Sequence, residues 1–308
     1  MATNNPITTS LPDYVEQNYG ELLVKSVLGA KSAGLFELMA GLSGKTALNY
    51  MTSDPVFGDG SVCGWNEKGS TEFTQREIDP KYIAVNMAFC DKNFLNKYTA
   101  HLVKIAADPK TLPFEQEIMN EISNKIALGV EKLIWQGDHT SSAQTECDGI
   151  LKILSDGGVT PIDVTAGGTA YEAVKKAYMA LPAEVAQAGD AVIFVNDSTY
   201  RRYVNELVEK NFFNYATNET DWGNGETYVP GTNCRVIAVN GLNNTTNYDY
   251  VIAGQLSNFV YGCNLVNDKD VFDLFYSKDN REFRLVVEFL VGTQVKFLDQ
   301  VVEVRIAK

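Results

Sequence analysis

Between Glu131 and Leu154 the chain reads EKLIWQGDHTSSAQTECDGILKIL, which gathers Trp135, Asp138, His139, Glu146, Cys147 and Asp148 into one short span. Carboxylates, an imidazole and a thiol are the usual metal ligands and the usual acids, bases and nucleophiles. Such chemistry needs partners, and the rest of the sequence supplies few. The two histidines, His101 and His139, are far apart and neither has a second His at i+4, which excludes an HExxH zinc site. No serine lies in a G-x-S-x-G elbow. Gly44-Lys45-Thr46 echoes the end of a phosphate-binding loop, but Met39 stands where that motif needs glycine, and a helical arm precedes it where a strand is required. The pairs Asp268/Asp270 and Asp197/Glu206 have the residue types of a glycosidase dyad. A chain with 39 acidic residues offers many such pairs, so a solvated acidic surface is the simpler reading. The aromatic stretch NFFNYATNETDWGNGETYVPG fits a sugar-binding loop or, equally, a loop that packs Phe212, Phe213 and Trp222 on itself. The expectation is therefore no catalytic, cofactor-binding or metal-ligating residue, no cofactor, and a chain that is not an enzyme.

The elements that would have to position any such groups are better defined. A length of 308 residues at 45% hydrophobic suffices for one large or two ordinary domains with their own cores. The net charge of -13, the pI near 4.7 and the lack of any basic run argue against a directly gripped nucleic acid. Cys63, Cys90, Cys147, Cys234 and Cys263 are odd in number, scattered and without a C-x-x-C, which reads as reduced, buried thiols. No signal-peptide pattern opens the sequence and no apolar run approaches the ~20 residues that span a bilayer. A soluble protein of a reducing compartment is expected.

The first fifty residues read as a polar tail and a weakly amphipathic helix over Tyr14–Gly29, an arm with too little apolar surface to form its own core. It must lean on the main body or on a neighbouring chain. Residues 51–70 are rich in glycine and turns, and 71–89 alternate like strands, which predicts a long projecting hairpin carrying EFTQREIDPKYIAVNMAFC. From TLPFEQEI onward, Thr111 as N-cap, Pro113, and Glu115 and Glu117 in the first turn open a helix. Ile118, Ile122, Ile126, Val130 and Leu133 continue it for about 23 residues to Gly137, a rod of roughly 34 Å. Further on, Thr169 and Glu172 form a capping box, AVIFV (191–195) reads as a strand buried on both faces, and Asn196, Asp197 and Ser198 can cap the next helix. CRVIAVN and YDYVIAG supply two more strands of this α/β unit. At the C-terminus Phe283, Leu285, Val287, Phe289 and Val291 alternate with mostly polar residues, as do Val302, Val304 and Ile306 around Glu303 and Arg305.

The order of these parts resembles the major capsid proteins of tailed bacteriophages, the Hong Kong 97-type capsid fold. The resemblance rests on the long helix ending EKLIWQGD, the DGIL turn, the hairpin, AVIFVN leading into DSTYRRYVNELV, VPGTNCRVIAVNGL, and the closing segment from VIAGQLSNFVYG to VGTQVKF. It runs from about residue 70 onward and lies in the order of individually loose motifs. It implies an α+β fold with an N-terminal arm (1–50), an extended loop (51–90), a peripheral domain with the spine helix (91–150), an axial domain (151–265) and C-terminal strands of the peripheral domain (266–308). The implied function is self-assembly of pentamers and hexamers into an icosahedral shell around double-stranded DNA, in the virion after assembly in the bacterial cytoplasm. The implied partners are other copies of the chain, a separate scaffolding protein, a portal, decoration proteins and DNA held without sequence-specific contacts. An encapsulin-type compartment and a soluble α/β hydrolase are the alternatives. Some members of the family weld subunits through Lys-Asn isopeptide bonds, for which Lys68 or Lys81 would be donors, though no motif here calls for them.

Overall fold

The computed structural model describes residues 7–57, 69–90, 114–140, 147–164, 168–210, 225–264 and 271–308. The chain is mixed α+β, and its frame is the helix Phe114–Gln136, whose 23 residues match the length read from the sequence. Its terminus follows the expected glycine, with the Gly137 N–H donating to the Leu133 carbonyl at 2.9 Å. The buried face differs in phase from the predicted stripe. Met119, Ile126, Val130, Ile134 and Trp135 are buried together with Ser123 and Glu131, while Ile118, Ile122 and Leu133 lie at the margin. The helix is covered by the arm as well as by the sheet, so the buried arc is wider than a stripe one residue broad and takes in polar positions.

The arm folds back on its own body. Two helices, Ile7–Gln17 and Tyr19–Leu28, replace the single helix expected over 14–29, and a short third spans Lys31–Leu35. Leu11, Val15, Leu22, Leu23 and Val27 are buried in the main core. The Ser10 hydroxyl donates to Glu115 and the Lys25 ammonium to Asn120, both at 2.8 Å, tying these helices to the spine.

Beneath the spine lies a five-stranded sheet built around β12 (Glu282–Val295). β4 (Lys81–Cys90) pairs antiparallel along one edge of it, and β11 (Val271–Ser277) and β10 (Phe259–Asn264) share the other. β1 (Glu37–Ala40) closes the sheet parallel to β10. Phe283, Leu285, Val287, Phe289 and Val291 all point into the core, as their alternation predicts. A second sheet runs β5 (Ile162–Val164), β13 (Val302–Ala307), β9 (Tyr248–Gln255), β6 (Ala191–Val195), β8 (Arg235–Ala238), β7 (Glu226–Tyr228). One face carries helices Ala170–Ala180 and Asp197–Glu209 over a separate core cluster, and the other reaches the spine. β6 is buried at every residue. Thr169 and Asn196 cap the two helices, accepting the N–H of Glu172 and of Thr199.

Three expectations need correction. The hairpin is formed by β2 (Thr46–Pro55) with β3 (Gly69–Ile78), so it does not join the two halves of 72–90. Asp79-Pro80 breaks the chain after β3 and sends β4 into the sheet, because proline cannot donate to a ladder and Pro80 seats against Gly292 of β12. Next, Val302–Ala307 belongs to the six-stranded sheet, between β5 and β9, and not with the other C-terminal strands. Both its faces are covered there, which buries Glu303 beside Arg305 Nε at 2.6 Å. Finally, Cys90 is exposed at the end of β4; Cys147, Cys234 and Cys263 are buried as expected, and Cys63 lies outside the described residues.

Candidate functional site

The loop after the spine is shaped by two glycines that touch. The Gly149 N–H donates to the Gly137 carbonyl at 2.9 Å, and a Cβ on Gly149 would stand 2.6 Å from Gly137 N. This clamp turns the chain back on itself and sorts the chemistry-bearing residues into two groups. Trp135 goes inward, with its ring centroid 5.0 Å from Phe194 and 5.8 Å from Phe36. Its indole N–H donates to Ser32 Oγ at 2.7 Å, so it is a core residue. Cys147 also turns inward, where burial pushes its thiol up to about 12, which removes it as a nucleophile at neutral pH.

Asp138, His139 and Asp148 face outward and come together, with ligand atoms within 4.8 Å of one another. The sequence reading left these three without partners. His139 Nδ1 lies 2.7 Å from Asp148 Oδ1, which also accepts the His139 backbone N–H. Asp138 Oδ1 accepts the N–H and the hydroxyl of Thr140, and these two bonds hold its carboxyl below the usual range. They are the one set among the described residues with donors near enough for a shared ion. Each carboxylate is already engaged within the loop, and the group is open to solvent. Glu146 and His101 lie outside the described residues.

The other candidates are dispersed. Asp197 pairs with Arg201 at 2.6 Å, whereas both oxygens of Glu206 accept the N–H groups of Ala170 and Tyr171 at the start of helix Ala170–Ala180. The two do not form a dyad. Gly44-Lys45-Thr46 leads into a strand, with Lys45 paired to Glu77, so no helix N-terminus stands ready for a phosphate. Lys81 pairs with Asp79 at 2.8 Å. Lys68, Asp268, Asp270 and 211–224 are outside the described residues.

The sequence reading placed no residue-level site on the β2–β3 hairpin, which among the described residues carries several exposed apolar side chains. Its base is fixed by a small cluster of Leu42, Leu48, Ile78 and Val260, by the Tyr50–Phe297 ring contact at 5.1 Å, and by Gln294 Nε2 donating to the Glu77 carbonyl at 2.6 Å. Ten residues of strand reach roughly 33 Å. Along that reach Met51 and Phe73 are cross-strand partners and both exposed, and Phe57, two residues beyond β2, is 96% exposed. A second uncovered feature is an apolar groove of about 320 Å³ between the spine and β4, lined by Ile83, Val85, Met87, Ile126, Val130 and Phe289.

No protein-family model and no curated protein matches the sequence. Solved structures do match. A chain of the satellite phage P4 procapsid superimposes with a TM-score of 0.63 at 10% identity, covering 98% of this chain and 98% of that one. The fold is that of the tailed-phage capsids. A chain of Gordonia phage Cozz shares the capsid fold at a TM-score of 0.57 and 13% identity, over 91% of this chain and 87% of its own. The same holds for a chain of the SrpI encapsulin of Synechococcus elongatus, at a TM-score of 0.53 and 10% identity, over 88% and 85%. The Hong Kong 97-type order of arm, hairpin, spine and two sheets thus spans nearly the whole chain, as its motif order implies.

Proposed function

We propose that this chain is the building block of a closed protein shell, a major capsid protein whose pentamers and hexamers enclose double-stranded DNA. The observation that carries the reading is the β2–β3 hairpin, anchored at its base yet leaving Met51, Phe57 and Phe73 exposed, on a chain with the capsid fold. A hairpin some 33 Å long that leaves Met51 and Phe73 exposed gains nothing from these side chains in an isolated monomer, and bare apolar side chains favour association. On another copy it adds a repeated contact whose rotation can close. The arm (to about residue 36), the hairpin (46–78), the peripheral part with the spine and β12, and the axial part with the six-stranded sheet are the corresponding regions. Other copies of the chain, a separate scaffolding protein, a portal and decoration proteins are its partners, and the virion is its place. No catalytic role is assigned. The net charge of -13 suits a wall that does not hold phosphate, so that DNA packs and leaves freely.

Size-exclusion chromatography with light scattering, followed by negative-stain imaging, tests this. An icosahedral shell needs at least about sixty copies of the 34.0 kDa chain, hence a hollow particle of about 2 MDa or more. A strict monomer at high concentration, with or without a scaffolding partner, refutes it. The fold match to an encapsulin supports a second reading, a compartment for protein cargo. The contents of purified particles decide between them, nucleic acid for a capsid and a packaged enzyme for an encapsulin.

A further inference from the structure

Glu131 sits in the last third of the spine helix with its side chain turned into the core, at 2% exposure. Both of its oxygens are satisfied by a single residue of the arm. Oε2 accepts the Ser32 backbone N–H at 2.8 Å and Oε1 accepts the Ser32 hydroxyl at 2.6 Å, while Ser32 Oγ accepts the Trp135 indole N–H at 2.7 Å. Around this knot the rings of Phe36, Trp135, Phe194 and Phe259 close the joint between arm, spine and both sheets. The knot is thus a polar fastening where the short helix Lys31–Leu35 meets the spine. Hydrogen-bond geometry there is good, yet no cation touches the carboxylate.

The charged and titratable groups facing it are few. Lys31, next to Ser32, directs its ammonium to Glu226 at 3.4 Å and to the Ala238 carbonyl at 3.2 Å. Tyr261 of β10 is buried nearby and donates its hydroxyl to the Val27 carbonyl. The turn at 240–242 presents Gly241, without a side chain, against the Glu131 carbonyl. A buried carboxylate without an ion-pair partner is costly, and a carboxylic acid in the same place is not. The acid form also fits the knot with one bond reversed: its O–H donates to the second lone pair of Ser32 Oγ, beside the one taken by Trp135, the serine proton turns away from Oε1, and the other oxygen keeps the Ser32 N–H.

We propose that Glu131 is a protonation-sensitive latch, in which the neutral acid clamps the arm at Ser32 to the spine and the carboxylate loosens that clamp. Burial pushes the Glu131 carboxyl above the ordinary glutamate value, and the Ser32 and Trp135 donors and the Lys31 charge offset this only in part. The closed joint therefore binds a proton more tightly than the open one. Closure strengthens as pH falls through the closed-state value, and the gain is complete near the ordinary value of about 4.3. Within that window the opening constant falls by up to about tenfold per pH unit.

The latch lies inside one chain, so it is read on unassembled, full-length protein whether or not shells form. Hydrogen exchange of the 26–36 segment is followed by mass spectrometry from pH 8 to pH 5 and corrected for intrinsic exchange, with Ser32, Gly34 and Phe36 amides as reporters. The wild type is expected to gain protection as pH falls. Glu131→Gln keeps the shape without the charge, so its protection is high at pH 8 and flat with pH. Lys31→Met removes the nearest cation and moves the wild-type rise to higher pH, which keeps the test alive if Glu131→Gln fails to fold. A flat wild-type profile, or a Glu131→Gln profile with the wild-type slope, overturns the latch.

Discussion

Replacing Phe57 by serine separates folding from assembly, because the side chain does nothing for the isolated chain. It is 96% exposed two residues beyond β2, with neither the base cluster of the hairpin nor the main core in reach. The substitution is expected to change folding stability by less than about 0.5 kcal/mol, as for an unremarkable surface position. For a chain of this size that moves the melting midpoint by under about 2 °C. If Phe57 is buried on another copy, the loss there is the burial of a phenylalanine, about 1.5–3 kcal/mol. One such contact per subunit raises the critical concentration for assembly by roughly 10- to 150-fold. Light scattering against protein concentration measures that threshold, and calorimetry below it measures the fold. Phe73, 80% exposed and opposite Met51, provides an independent second site with the same expectation. Unchanged thresholds for Phe57→Ser and Phe73→Ser would refute the assignment of the hairpin as an assembly contact. A melting midpoint lowered by five degrees or more would show that Phe57 packs on its own chain.

Other consequences follow from the packing. Gly241→Ala places a Cβ 2.1 Å from Trp135 Cδ1 and 2.4 Å from the Glu131 carbonyl oxygen; because the latter is backbone, the clash cannot be relieved cheaply, and a loss of about 3 kcal/mol is expected in denaturant unfolding. Wild-type stability in this variant would mean that the spine and the 240–242 turn are not in contact. Asn196→Ala removes the cap on Thr199 and one of the partners of Asp249, costing about 1–2 kcal/mol; Asn196→Asp keeps the cap but sets a carboxylate 2.7 Å from Asp249, so it should lose stability as pH rises. On alkylation under native conditions Cys90 is expected to react in minutes, whereas Cys147 and Cys234, whose thiols burial raises to about 12, react only on unfolding. Peptide mass spectrometry reads this directly, and fast labelling of Cys147 would contradict the clamp at Gly137 and Gly149. Assembled particles should not bind duplex DNA on their outer surface at low salt; tight binding would sink the argument from net charge.

What could be read in advance was whatever periodicity and local chemistry encode. β12 announces itself because every second residue from Phe283 to Val291 is apolar, and β6 because all five of its residues are. Thr169 and Asn196 declare helix starts through a bond made within four residues. Strand partners are different, since a strand's own sequence carries no address. β3 and β4 are adjacent and alternate alike, yet Asp79-Pro80 separates them and each pairs elsewhere, with β2 and with β12. β13 resembles the other C-terminal strands in pattern, but its neighbours β5 and β9 lie far back in the chain. The grouping of Asp138, His139 and Asp148 likewise depends on two glycines meeting backbone to backbone, which no spacing rule reports.

Glu131 is the sharpest instance of this limit. In a helix written EISNKIALGVEKLIW a glutamate between Val130 and Lys132 reads as a solvent-facing position, since charged residues are seldom buried without a partner. Its partner is Ser32, 99 positions earlier, in a segment whose glycines and small residues carry no helical stripe. An isolated amphipathic pattern assumes a single covered face. The spine has two, because the arm closes over what the sheet leaves open, and a carboxylate on the second face becomes interior only when the arm is docked. The residue that sequence periodicity misplaces is therefore one whose burial depends on the docked arm, and that dependence is what the proposed latch couples to its protonation.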